Sequence, residues 1–409
     1  MSNLLWPGDH RAGEHMTDEA MLESMVATEC SWLDALVAAG LAPAECAQAD
    51  LWNLLTHTDR ESLAVDAEDG GNPVIPLVRL LRQRAEPAIA PWIHRGLTSQ
   101  DVLDTSLMLA VRGIADEVTF QLRRQISTLS ELATRHRGTP MPARTLTQHA
   151  APTTFGLKAA GWLNGIVDAF ERMTALTTPI QIGGAAGTLA ATTELAVLLT
   201  GADDPAGVSL QLMRSAATTL GLHERLPWHT ARAPVTAVAD AFVGCTDAWG
   251  RIASDIVTLA RPEIAELGEP AAAHRGGSSS IPHKRNPVLS ILIRRAAIAA
   301  PPLAATLHTA AALADDERPD GAWHAEWDTL RQLARRTLVA GSQSGELLAG
   351  LSVHTQRMAE NLNAADLSGE QRAIAELVGK EPSPSYFGAA ERLIDESLGR
   401  AGRALGQRW

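Results

Sequence analysis

Apolar residues recur at steps of three and four along most of this chain. From Asp101 to about Arg137, Leu103, Leu107, Val111, Ile114, Val118, Leu122, Ile126 and Leu129 fall on one helical face with no intervening proline. At about 1.5 Å per residue that predicts a rod of roughly 50 Å. Val238, Phe242, Cys245, Trp249, Ile252, Ile256 and Leu259 alternate steps of four and three, the spacing of a packed bundle seam. Further helices are predicted from about Thr153 to Thr177, from Pro287 to about Ala314 with a break or bend near Pro301 and Pro302, and from about Trp323 to Leu348. Strands find little room in such a pattern. It predicts an all-α fold of long antiparallel helices, an elongated bundle whose apolar flanks favour oligomerisation.

Punctuation divides the ends from the middle. Before residue 97 the helical pieces are shorter, separated by the Gly70-Gly71-Asn72-Pro73 turn and by Pro87 and Pro91. After Gly350 the pattern becomes short and polar. The expected organisation is an N-terminal helical domain over 1–97, a central bundle over 98–349 and a short C-terminal domain over 350–409. No internal repeat and no low-complexity tract interrupts it.

Composition narrows the partners. A chain of 409 residues, 45% apolar, has ample material to bury, and a formal charge of -12 repels nucleic acid and anionic membranes at long range. An anionic substrate must then meet a local cluster of cations and hydrogen-bond donors. Cys30, Cys46 and Cys245 are few, odd in number and scattered, which suits buried thiols in a reducing compartment. With no charged leader and no apolar run approaching the ~20 residues of a membrane span, the expected address is the cytoplasm.

Chemistry is expected where the rods begin, because a helix N-terminus offers free N–H groups and a positive dipole end. Three rods start alike, at Thr98-Ser99-Gln100-Asp101, at His149 to Thr154, and at Lys284-Arg285-Asn286-Pro287, where asparagine suits the N-cap and proline the first turn. Singly, each is an ordinary cap. Together they supply hydroxyls, an imidazole, an amide and an ammonium to a carboxylate. The most informative stretch is Gly276 to Pro287, GGSSSIPHKRNP: its glycines and serines make a mobile loop and its prolines stiffen the exit. A serine there can act as a base if backbone N–H groups stabilise its alkoxide, which points to Ser278. Of 35 basic residues only Lys158, Lys284 and Lys380 are lysines, so a lysine beside this loop is no surface filler. The plain reading, a solvated Gly/Ser loop, competes with this one until other residues are added.

GGSSSIPHKRNP resembles the signature GSSxMPxKxNP of the fumarase/aspartase superfamily, and two further blocks agree in order and distance: HRGLTSQDVLDT at 94–105 and ARTLTQHAAPTTFGLK at 143–158. Within the superfamily, LWPGDHRAG near the start and ERPDGAWHAEW at 317–327 are most similar to prokaryotic 3-carboxy-cis,cis-muconate cycloisomerases. The resemblance implies a three-domain all-α fold whose central long-helix bundle tetramerises, with each site drawn from several subunits. It implies Ser278 as the proton-transfer catalyst and His149 as its acid or electrostatic partner. Thr98, Ser99, Gln148, Lys284, Asn286 and His94 are implied as substrate-binding groups, and Arg318 as a candidate to receive a carboxylate. Three departures stand out. Leu146 replaces the histidine many relatives carry after the Arg-Thr pair, Ile281 replaces the loop methionine, and the C-terminal domain is short.

The implied reaction interconverts 3-carboxy-cis,cis-muconate and 4-carboxymuconolactone. A substrate carboxylate attacks an alkene carbon, charge builds as an aci-carboxylate, and Ser278 handles the proton on carbon, so neither metal nor cofactor is required. One alternative is a carbon–nitrogen lyase similar to adenylosuccinate lyase, against which Trp323-His324 places a bulky indole in nucleotide space. The other is a catalytically silent scaffold, opposed by the intact Ser278, Lys284 and Asn286.

Other constellations carry less. His10 with His15 and His223 with His229 lack the companions of a metal site and read as solvated or capping histidines. Gly183 to Thr188 lacks the lysine of a phosphate loop. Glu263, Glu266 and Glu269 read as an exposed acidic row, and Arg11 lies in a segment that could approach substrate.

Overall fold

The computed structural model describes residues 3–272, 275–278 and 280–406; Ser279 of the serine loop lies outside them. The fold is all-α. The predicted rods appear as helices Ser99–Arg135, Phe155–Thr174, Ala233–Leu259, Val288–Ala312 and Gly321–Ala349. Every apolar residue of the two seams read from the sequence is buried, with Val111, Ile114, Val118, Leu122, Ile126 and Leu129 at 0% exposure. Two expectations need correction. The Val288 helix continues through Pro301 and Pro302 without a break. It is also long and apolar enough to cross a membrane by length and composition, although only a third of its most apolar window is buried.

Packing separates two units, Met1–Asp116 with Leu176–Asp240 and Pro302–Arg335, and Glu117–Ala175 with Ala241–Pro301 and Arg336–Trp409. In the first, helix Asp18–Ala38 packs on Pro205–Leu220, which also packs on Ala190–Thr200. Thr17 caps its first turn, the hydroxyl accepting from Ala20 N–H at 3.2 Å, and its inner face buries Trp32, Leu33 and Leu36. The predicted Gly70-Gly71 turn ends helix His57–Gly70, with Gly71 at φ 69°, a left-handed conformation glycine adopts without steric cost.

In the second unit glycines let helices approach closely. A Cβ on Gly341 would fall 2.2 Å from Gln121 Oε1 and 2.9 Å from the Trp249 ring. Gln125 ties the same three helices together, donating to the Gly341 carbonyl (3.0 Å) and accepting from Trp249 Nε1 (2.7 Å). Helix Ala390–Ala404 packs on Phe155–Thr174, with Asn164 donating to Ser397 at 2.9 Å.

The expectation that strands find no room is corrected locally. Strand β1, Pro140–Thr145, pairs antiparallel with β2, Gln148–Thr154, and Thr145 faces Gln148 across the two-residue turn. Leu146 and Thr147 both adopt positive φ, 47° and 73°, the signs of a primed hairpin turn. The supposed start of the second rod is therefore a strand, and the helix begins at Phe155 behind its true cap, Thr154, whose hydroxyl accepts from Leu157 N–H at 3.2 Å. A second small ladder pairs Leu267–Gly268 with Ser352–Val353.

Candidate active site

In the second unit, Gly276 to Asn286 folds back on itself. Gly277 bridges Arg285, and the Asn286 N–H and Nδ2 both donate to the Gly276 carbonyl, at 2.8 and 3.2 Å. Gly276 is required at this closure: its φ is 72°, and a Cβ would lie 2.6 Å from the Asn286 carbonyl oxygen. Inside the fold-back, the half-buried Ser278 Oγ accepts from Ile281 N–H at 3.1 Å and Ser280 N–H at 3.4 Å. Two backbone dipoles thus point at the hydroxyl oxygen, the arrangement an alkoxide needs. Lys284 is exposed on the returning arm.

The start of the Val288 helix differs from expectation. Its free N–H groups are not open to a substrate, because the Glu269 carboxylate accepts from Leu289 N–H (3.1 Å) and Ser290 N–H (2.7 Å). Glu269, Arg275, Arg285 and Asn286 line a cavity of about 510 Å³ beside the loop. Nor is Glu266 part of an exposed acidic row. It is fully buried, pairs with Arg144 at 2.7 Å and accepts from Asn361 at 2.8 Å. Gln148 and His149 stand on the exposed tip of the hairpin, with Leu146 97% exposed at its turn. Among the described residues no hydrogen bond joins this tip to the serine loop; Gln148 Nε2 donates to its neighbour Thr147 at 3.1 Å.

In the first unit, Thr98 precedes the Ser99 helix and its hydroxyl accepts from Arg318 Nη2, which also donates to the Ala185 carbonyl at 3.1 Å. The structure thus brings together Thr98, Arg318 and the Gly183–Gly187 turn. His94 has φ 59° and is held by the buried Glu29, which accepts from its backbone N–H at 2.9 Å and lies 2.6 Å from its Nδ1. His94 and Ser99 line a cleft of about 470 Å³ with Arg79 and Arg82.

Beneath this surface lies a polar network that sequence reasoning missed. Asp101 is fully buried, and its carboxylate gathers Thr98, Gln181, Gly183, Gly184 and His229. His229, read from sequence as solvated or capping, is 5% exposed. Because a carboxylate has no hydrogen to give, Nε2 is the protonated ring nitrogen of His229. Its ring explains Gly183, where a Cβ would meet His229 Cε1 at 2.7 Å. One turn along, Asp104 and Glu326 enclose Arg232, and all three side chains are essentially inaccessible. Burial works against the Arg232 charge, but the two carboxylates outweigh it and hold the guanidinium above its ordinary range. Burial likewise lifts the Glu326 carboxyl despite Arg232 beside it. Trp323 is a core residue here, 3% exposed with Nε1 donating to Asp104 at 2.9 Å. The available signal was faint: Asp101, Asp104 and the buried Met108 share one helical face of an otherwise apolar stretch.

Long buried helices, a glycine-serine loop directing N–H groups at a hydroxyl, and an arginine seated on a threonine are features of an all-helical enzyme. Residues 53–300 match the sequence profile of the lyase family. The chain belongs to that family, the fumarase/aspartase superfamily. It is 44% identical to the nitrosuccinate lyase of Streptomyces davaonensis over 386 residues, covering 93% of this chain and 79% of that protein. It is 37% identical to the 3-carboxy-cis,cis-muconate cycloisomerase of Bradyrhizobium diazoefficiens, covering 92% and 83%. The crystal structure of the 3-carboxy-cis,cis-muconate lactonizing enzyme from Pseudomonas putida superposes with a TM-score of 0.79 at 27% identity, covering 96% of this chain and 97% of that one.

Proposed function

We propose that the protein is a carbon–nitrogen lyase that expels nitrite from nitrosuccinate, leaving fumarate. The observation that carries the proton-transfer chemistry is the Ser278 hydroxyl under the Ile281 and Ser280 N–H groups. The choice of leaving group rests on the 44% identity to a nitrosuccinate lyase. Ser278, as alkoxide, takes a proton from the methylene next to one carboxylate. The electron pair enters that carboxylate as an aci-carboxylate, then returns to form the carbon–carbon double bond while the carbon–nitrogen bond breaks and nitrite leaves with its electrons. Lys284 and Asn286, on the same loop, neutralise and hold the charged carboxylate. In a tetramer whose sites each draw on several subunits, Arg318 and Thr98 bind the other, with Ser99, His94 and Gln148 completing the substrate contacts. His149 serves as electrostatic partner, and nitrite is stable enough as an anion to leave without an acid, which fits Leu146 at the position where many relatives have histidine.

A cycloisomerase acting on 3-carboxy-cis,cis-muconate is the second reading, supported by relatives at 37% and 36% identity and by the LWPGDHRAG and ERPDGAWHAEW segments. The same serine then delivers a proton rather than removing one. Both readings include a homotetramer, since Ile291 (47% exposed) and Ile298 (71%) leave apolar flanks on the Val288 helix, and the exposed hairpin tip supplies Gln148 and His149 to a neighbour's site. Purified protein offered each compound separately decides between them. Nitrite release with no loss of the muconate chromophore supports the lyase, and the reverse pattern replaces it with the cycloisomerase.

A further inference from the structure

Arg318 sits on two chain segments far apart in sequence. Its Nη2 donates to the Thr98 hydroxyl and to the Ala185 carbonyl. Both segments are fixed by one atom. Asp101 Oδ2 accepts from Thr98 N–H at 3.0 Å and from Gly184 N–H, immediately before Ala185, at 2.9 Å. The other oxygen, Oδ1, accepts from Gly183 N–H (2.9 Å), Gln181 Nε2 (3.1 Å) and His229 Nε2 (3.0 Å), which locks the carboxylate in place. With Nη2 engaged, Arg318 keeps Nε–H and Nη1–H without a bond among the described residues, on an exposed side chain.

We propose that Asp101 is the positioning residue of a carboxylate subsite formed by Arg318 and the Thr98 hydroxyl. It touches no substrate and acts by holding Thr98 and the Gly183–Gly187 turn at the separation that aims the guanidinium. An asparagine of the same shape would turn an NH2 toward donors that now meet an oxygen, so one set of N–H groups is repelled and the seat opens. Misplacing a binding group by about an ångström can cost on the order of a hundredfold. This inference rests on the proposed action on a C4 dicarboxylate.

The test measures fumarate binding by calorimetry, together with KM and kcat for nitrosuccinate, in the wild type, Asp101→Asn, Arg318→Gln and the double variant. The expected result is a fumarate Kd and a KM raised by about 10–100-fold in each single variant, kcat within about threefold, and a double variant no worse than Arg318→Gln alone, because both changes disable one subsite. A purely structural role lowers thermal stability and the active fraction while leaving KM and Kd unchanged. That outcome overturns the proposal, as do single-variant losses that multiply in the double variant. A wild type that binds no fumarate and releases no nitrite instead sinks the functional reading and this inference with it, a result distinguishable from failure at Asp101 alone.

Discussion

Removing the Arg232 side chain should expose how strongly the buried triad holds the first unit. Among the described residues, Arg232 is the cation paired with both Asp104 (2.6 Å) and Glu326, and it also donates to the His229 carbonyl at 3.2 Å and stacks 4.8 Å from the Trp228 ring. Arg232→Met keeps the bulk but leaves two inaccessible carboxylates facing each other. Breaking a single buried pair costs about 3–5 kcal/mol, and two stranded charges put this variant at the upper end. At about 2–4 °C per kcal/mol for domains of 150–250 residues, the melting temperature should fall by roughly 10 °C or more. The sign with pH is fixed by Glu326, whose carboxyl burial already raises. In the variant it rises further, so the folded state takes up a proton before the unfolded chain does, and the destabilisation shrinks as the pH falls through that range. Adding Asp104→Asn and Glu326→Gln should restore most of the loss, since neutral amides replace charges at the same positions. Urea and thermal melts of the three proteins read this out. If the single variant melts within a degree of the wild type, or the neutralised triple variant is no more stable than the single, stranded charge is not what the triad manages.

Three other outcomes follow from local geometry. Burial pushes the Cys245 thiol up to about 12 and raises Cys30 and Cys46 above their ordinary value; at pH 8 only about one Cys245 in ten thousand is thiolate, so iodoacetamide should label the native protein slowly and all three cysteines rapidly in urea. The Asp59 carboxylate, held well below its ordinary range by Arg84 and Thr56, contributes stability above about pH 4 that disappears as the pH falls through its folded value; an Asp59→Asn variant should melt below the wild type at pH 7 and together with it at strongly acid pH. Gly276→Ala, which forces a Cβ to 2.6 Å from the Asn286 carbonyl at a positive φ, should cut turnover by about 10–100-fold through loss of loop closure, while the melting temperature moves by no more than a degree or two.

The helical seams were legible because helix formation and burial share one period: Val111 through Leu129 and Val238 through Leu259 carry it without interruption. The serine loop was legible because glycine, serine and proline cluster there for backbone reasons. The hairpin was not, since Leu146 and Thr147 lack the Asn-Gly chemistry that normally announces a primed turn, and their positive φ values are imposed by the pairing of β1 with β2. Glu266 and Glu269 were misread because three glutamates at steps of three resemble a solvated helical face, whereas their partners, Arg144 and the Val288 helix start, lie elsewhere in sequence. The same distance hid Asp101, Arg232 and Glu326. A buried charge is identifiable only through its partners, and sequences separated by 94 and 128 residues give no local sign of meeting.

Everything functional here turns on whether the Ser278 oxygen moves a proton at carbon. Wild-type protein and Ser278→Ala, both shown folded by circular dichroism, should be incubated with nitrosuccinate while nitrite and fumarate are quantified. The account predicts equimolar nitrite and fumarate from the wild type and a rate lower by about a thousandfold or more in the variant. Equal rates of nitrite release from the two proteins would contradict it.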